Sequence, residues 1–325
     1  MSPRPIQRVL YLQKAEVLDH QKALVTSTLM AALPEAELLF ADCVEAVPLH
    51  AAIDIVITPT LPWLPEALKR LASYHWLHFL SAGVEKIWAM DFDKSAVMMT
   101  KSSGVHGAPM SEYVIGAMLY FTKQFGRFHD QAKQAQWQRS WLGELTGSQV
   151  TVLGLGHIGQ CLAKRAKAFG MEVVGTQRTP REIPCVDRVV ALHDIGPELA
   201  CTDFLVVCLP LTDATQGLVN DQLLAQLRPG AVLIDISRGG VVQSEALLRA
   251  LDAGTLKGAA LDVFEQQPLP ADSPLWQRDD LLITPHVSGT TPFYLERALS
   301  VFIENLRAYQ QGKPFITAVS VDAGY

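Results

Sequence analysis

Short apolar blocks of four or five residues recur along the first hundred positions, at 8–12, 37–40, 54–58, 76–80 and 96–99. Blocks this short, bounded by Pro, Gly and Asp, read as strands rather than helices. Between them, residues 22–33 and 65–73 carry the 3–4 spacing of amphipathic helices, and a long helical run follows over 110–123. A second series of apolar blocks occupies 149–153, 172–175, 203–207, 231–235, 257–262 and 281–284. The final helix, over 292–309, follows Thr290-Thr-Pro, a cap and first-turn signal. Strands alternating with helices predict parallel α/β sheets.

A chain of 325 residues is long for one core, so two domains are expected. The richest nucleotide signal lies mid-chain, and a tandem arrangement would strand the last helix. The economical division is a discontinuous first domain, residues 1–102 and 288–325, around a second domain of residues 103–287. Apolar residues make up 49% and charged ones 18%, the balance of an ordinary globular protein. The net charge of −6 comes with no Lys/Arg block, so nucleic acid is not an expected partner. No apolar run reaches the ~20 residues of a membrane span, and no signal-peptide core opens the chain. Five scattered cysteines without a Cys-x-x-Cys pair argue against zinc or a disulfide framework; a reduced, cytoplasmic setting and no metal are expected.

Residues 150–160, Val-Thr-Val-Leu-Gly-Leu-Gly-His-Ile-Gly-Gln, carry Gly-x-Gly-x-x-Gly directly after a strand and at the opening of a helix. Gly154 permits the tight turn, Gly156 lets backbone approach a pyrophosphate, and Gly159 lets helix and strand pack closely. The helix N-terminus, with His157 and Ile158, then holds the anion. About twenty residues on, where a carboxylate usually takes the ribose 2′-hydroxyl, stand Gln177 and Arg178. A carboxylate would repel a 2′-phosphate and an arginine can pair with one, so NADP(H) is favoured and NAD(H) possible.

The chain resembles the D-isomer-specific 2-hydroxyacid dehydrogenases. The stretch Glu144 to Gly159, Cys208-Leu-Pro-Leu-Thr-Asp-Ala-Thr, Asp235-Ile-Ser-Arg-Gly-Gly, Leu261-Asp-Val-Phe and Thr284-Pro-His286 occur in that family's order, and Ser81-Ala-Gly83 matches its substrate loop. Asp272-Ser-Pro-Leu-Trp276 and Val321-Asp-Ala-Gly-Tyr325 resemble the glyoxylate/hydroxypyruvate reductase branch. The resemblance implies a Rossmann-type, doubly wound cofactor domain, a smaller flavodoxin-like substrate domain, and a homodimer. It implies that Arg238 binds the substrate carboxylate and polarises the 2-oxo group, with the amides of Ala82 and Gly83 completing the carboxylate pocket. Asp262 would hold the nicotinamide carboxamide, Leu209, Pro210 and Ile236 would line the cofactor, and His286 would be the acid/base. The activity implied is NAD(P)H-dependent reduction of a small 2-oxo acid to the D-2-hydroxy acid. His106 is a further candidate to border the substrate, whereas His75 and His78 read as packing residues of an apolar strand.

One position departs from the family's pattern. The residue five beyond the strand-end Asp262, usually a Glu paired with the catalytic His, is Gln267. Glutamine orients an imidazole but cannot hold its charged form. An ordinary imidazole titrates near ~6.5, so reduction is expected to quicken toward pH 6. Two alternatives follow. Glu265 is positioned to supply the missing charge if the segment is extended. Alternatively the reaction needs no proton, as in formate dehydrogenases, which resemble this chain at Gln267 and at His286-Val-Ser-Gly-Thr-Thr291. A nucleotide-sensing corepressor is the reading from a different class.

Overall fold

A computed structural model describes residues 4–319, so the closing Val321–Tyr325 resemblance lies outside the described residues. Helices α1 to α9 span Ala15–Ala32, Leu64–Arg70, Gly107–Thr122, Phe125–Lys133, His157–Ala168, Gly196–Leu199, Asp221–Leu224, Ser244–Asp252 and Tyr294–Gln310. The chain forms two compact units, residues 1–105 with 291–325, and residues 106–290.

In the first unit, β1 (Arg8–Leu12), β2 (Glu37–Ala41), β3 (Ala52–Thr58), β4 (Ser73–Phe79) and β5 (Met98–Lys101) form one sheet. All pairings are parallel and the order is β2-β1-β3-β4-β5, the flavodoxin-like arrangement. The last helix completes this core. Leu295, Ala298, Leu299, Phe302 and Leu306 of α9 fall on one stripe and pack with Val9, Tyr11, Ile55 and Trp76. His78 is wholly buried between the Thr100 and Ser102 hydroxyls, and burial holds its ring neutral, its pKa down at about 3.

In the second unit, β6 (Gln149–Leu153), β7 (Glu172–Thr176), β8 (Arg188–Val190), β9 (Phe204–Val207), β10 (Ala231–Asp235), β11 (Leu256–Leu261) and β12 (Leu281–Ile283) form a seven-stranded parallel sheet. Its order, β12-β11-β10-β9-β6-β7-β8, is the doubly wound Rossmann order with one added strand. Helix α5 packs on this sheet through Gly159, Leu162, Ala163 and Ala166, a spacing of 3, 4 and 7. The strand order reverses between β6 and β9, which opens a crevice at their carboxyl ends.

Several element boundaries differ from the sequence expectation. Helix α1 begins at Ala15 rather than 22, because Leu18 extends the buried stripe of Val25 and Leu29 by two turns. Helix α2 stops at Arg70, and Ser73 already belongs to β4. Helix α4 and strand β8 were not anticipated: α4 is nine residues long, mostly polar, and buries only Gln131, and β8 is a three-residue edge strand.

Candidate active site

The glycine turn after β6 is shaped by close contacts. Gly154 adopts φ +104°, and a Cβ there would lie 2.7 Å from the Cys208 carbonyl oxygen. Its N–H donates to Thr176 Oγ1 (3.0 Å). A Cβ on Gly159 would stand 2.3 Å from the Gly154 oxygen, so only glycine lets α5 approach the turn. At Gly156, the residue that caps α5, a Cβ would meet nothing within 4 Å, and the cap residue has no side chain to satisfy the first helix N–H groups. Open space in front of unsatisfied helix N–H groups is what a pyrophosphate requires. His157 turns aside, its Nε2 3.7 Å from Cys161 Sγ. Ile158 and Leu209 pack partly buried against the two cores, Ile236 is buried, and Pro210 is exposed, its carbonyl accepting from Thr215 Oγ1 (2.6 Å).

At the end of β7, Gln177 Nε2 donates to Leu155 O (3.4 Å), while its buried Oε1 has no hydrogen-bond partner. Arg178 is exposed beside it. An orphaned acceptor next to an unencumbered guanidinium fits the ribose end of a dinucleotide better than a closed protein surface.

The catalytic candidates of this unit lie beyond the carboxyl ends of β10, β11 and β12. Arg238 is exposed in the turn after β10; its Nη1 donates to Ser237 O (2.8 Å), and among the described residues no carboxylate pairs with it. His286 stands after β12 in the left-handed region, φ +55°. Its Nδ1 lies 2.9 Å from Gln267 Oε1, and Gln267 Nε2 donates to Phe264 O (3.2 Å). That second bond fixes the amide, so Oε1 is the acceptor and Nδ1 carries the proton. Glu265 does not supply the missing charge: its Oε1 accepts from the N–H (3.2 Å) and hydroxyl (3.1 Å) of Ser244 at the start of α8. A side chain committed to that helix terminus is not on the histidine.

Asp262 is wholly buried and accepts three hydrogen bonds: from Thr284 Oγ1 (2.6 Å), Val287 N (2.8 Å) and Ser288 N (2.9 Å). It therefore straps the loop that carries His286. Tyr113 of α3 extends the network to Thr284 Oγ1 (2.8 Å), and burial pushes its phenol up to about 12. The sequence reading missed Thr284, Ser288 and Tyr113; only the Thr284-Pro-His286 spacing pointed near them. His106 holds Gly289 O with Nδ1 (3.2 Å). Burial lowers its pKa, and the charge of Arg238 lowers it further. Ala82 and Gly83 belong to the first unit, in the bend after β4, where Ser81 Oγ lies 3.2 Å from Thr60 Oγ1.

Residues 115–288 match the family model for the D-isomer specific 2-hydroxyacid dehydrogenase, NAD binding domain. The chain belongs to that family. It is 30% identical over 275 residues, 81% of this chain and 86% of the other, to glyoxylate/hydroxypyruvate reductase A of Photorhabdus laumondii. A D-isomer specific 2-hydroxyacid dehydrogenase family protein from Aeromonas salmonicida superposes with a TM-score of 0.83 at 33% identity, over 97% of this chain and 99% of that one. The NADPH-dependent glyoxylate/hydroxypyruvate reductase of Sinorhizobium meliloti, solved with NADP and sulfate, gives a TM-score of 0.79 at 27% identity, over 98% and 100%. Among the described residues no helix is long and apolar enough to cross a membrane.

Proposed function

We propose that this D-2-hydroxyacid dehydrogenase reduces a small 2-oxo acid of the glyoxylate or hydroxypyruvate type to the D-2-hydroxy acid, with NADPH favoured over NADH. The observation that carries it is the exposed Arg238, with no carboxylate partner among the described residues, on the same sheet edge as the glycine cradle and His286. The residues that would hold the dinucleotide are Gly154, Gly156, His157, Ile158, Gly159, Gln177, Arg178, Leu209, Pro210, Ile236 and Asp262. When bound, the nicotinamide supplies the hydride. Arg238 grips the substrate carboxylate with its planar fork and draws electron density from the 2-oxo group. His286 donates the proton from Nε2 to the carbonyl oxygen, while Gln267 accepts from Nδ1 and fixes the ring. The product gains one hydride and one proton.

A neutral amide holds the ring without stabilising its cation, so proton donation should favour acid. Oxidation of NADPH with glyoxylate and with hydroxypyruvate, followed from pH 5.5 to 8.5, should accelerate toward the acid end. Absence of turnover with either acid over that whole range overturns the reading. The His286–Gln267 pair also suits a hydride transfer that moves no proton, so formate with NAD is the second arm; activity there alone would replace 2-oxo acid reduction. Trp137 and Trp141, 95% and 98% exposed in one segment, support a homodimer in which these indoles are covered.

A further inference from the structure

The loop that carries His286 has no regular structure to hold it. From Thr284 to Gly289 no residue belongs to a strand or helix, and His286 sits in the middle with φ +55°. Thr284 N–H donates to Leu261 O (3.0 Å) and His286 N–H to Thr284 O (3.1 Å). The next two N–H groups, of Val287 and Ser288, turn to the Asp262 carboxyl. Helix α3 supplies two further holds. Tyr113 meets Thr284 Oγ1 at one end of the loop (2.8 Å), and His106, which caps the helix, meets Gly289 O at the other (3.2 Å). The two side chains are seven residues apart, two turns along one helix face. Glycine at 289 permits the second hold, since a Cβ there would lie 2.9 Å from His106 Nδ1. All of these residues belong to the unit 106–290.

The protons give the first hold a direction. Thr284 has one hydroxyl proton, and it goes to Asp262 Oδ1 (2.6 Å). The Tyr113 phenol is then the donor to Thr284 Oγ1. Burial pushes that phenol up to about 12, so it keeps its proton from pH 5.5 to 8.5. With an acceptor site filled from α3, the Thr284 hydroxyl is aimed at Asp262, and a hydroxyl that accepts one hydrogen bond donates the next more strongly. We propose that Tyr113 is a positioning residue for His286: from α3 it holds, through Thr284 and Asp262, the loop on which that ring is carried, while His106 holds the far end.

Tyr113→Phe removes the phenol oxygen and keeps the ring in its packing against the core. Amide hydrogen exchange of the substrate-free protein then reads the loop directly, whether or not the chain reduces 2-oxo acids. Exchange at Val287 and Ser288 should quicken about tenfold beyond any change at Ala259, whose N–H is bonded to Asp280 O in the same sheet (3.0 Å). Acceleration no larger than at Ala259 would make Tyr113 a packing residue and overturn the proposal. Thr284→Val cuts the same chain one link further on, so it should reproduce the selective effect, and adding Tyr113→Phe to it should bring no more. Additive effects would show that the phenol acts by another route and would sink the idea equally. The second arm rests on the proposed 2-oxo acid reduction. With NADPH saturating, Tyr113→Phe should lower kcat for glyoxylate about tenfold and leave KM within about twofold, because a loosened proton donor weakens the transition state and not the grip of Arg238. Unchanged kcat beside quickened exchange would refute the positioning role. A wild-type protein without turnover would remove the reductase reading instead, and the exchange result would still decide whether Tyr113 holds the loop.

Discussion

His286 is held in a left-handed backbone conformation that a residue with a Cβ adopts at a cost, and three donors to Asp262 keep it there. Its partner sets the chemistry. Gln267→Glu puts a carboxylate where Oε1 now accepts, which stabilises the imidazolium and should shift the reductive pH profile upward by about 1–3 units. An unchanged profile in that variant would show that residue 267 does not govern proton donation. Gln267 and His286 were singled out by the resemblance to the family, whose motifs mark both positions. Thr284 opens a recognised motif, but nothing in the sequence said that its hydroxyl would reach the Asp262 carboxylate. A carboxyl at a strand end looks the same in sequence whether it meets solvent or, as Asp262 does, the hydroxyl and amides of a neighbouring loop, and the difference lies in which segment comes to lie beside it.

At the scale of elements, the turn between β6 and α5 is the part the sequence describes best, since the spacing of its three glycines is itself a statement about backbone contacts. Gly159→Ala would press a methyl group into the Gly154 carbonyl. Backbone cannot yield as a side chain does, so a loss of about 1–3 kcal/mol is expected, seen as a lower denaturation midpoint together with weaker NADPH binding. Unaltered stability would mean the turn relaxes and the third glycine is dispensable. Helix α4 was invisible for the opposite reason. It is short and mostly polar, and the face that Phe125 and Phe128 share stays largely outside the core, with only Gln131 buried. The start of α1 was misplaced because its first turns present mostly polar residues around one buried leucine.

For the whole molecule, the alternation of strands and helices announced parallel sheets, whereas strand order, a property of pairing between distant segments, was legible only through the family resemblance, whose doubly wound and flavodoxin-like arrangements the two sheets show. The segment after α4 carries the most exposed large apolar side chains among the described residues, Trp137 and Trp141. Replacing both with Glu should lower the mass measured by sedimentation from two chains to one; a wild-type protein already monomeric at micromolar concentration would remove the homodimer. A last consequence belongs to α9. Five of its side chains belong to a core whose other members were laid down some two hundred residues earlier. On the ribosome, where domains generally form as they emerge, the contiguous unit of residues 106–290 can close before the first unit has its final helix. The amino-terminal sheet must therefore wait with an apolar face uncovered, and synthesis, rather than any contact within the finished protein, sets how long it is vulnerable to wrong partners.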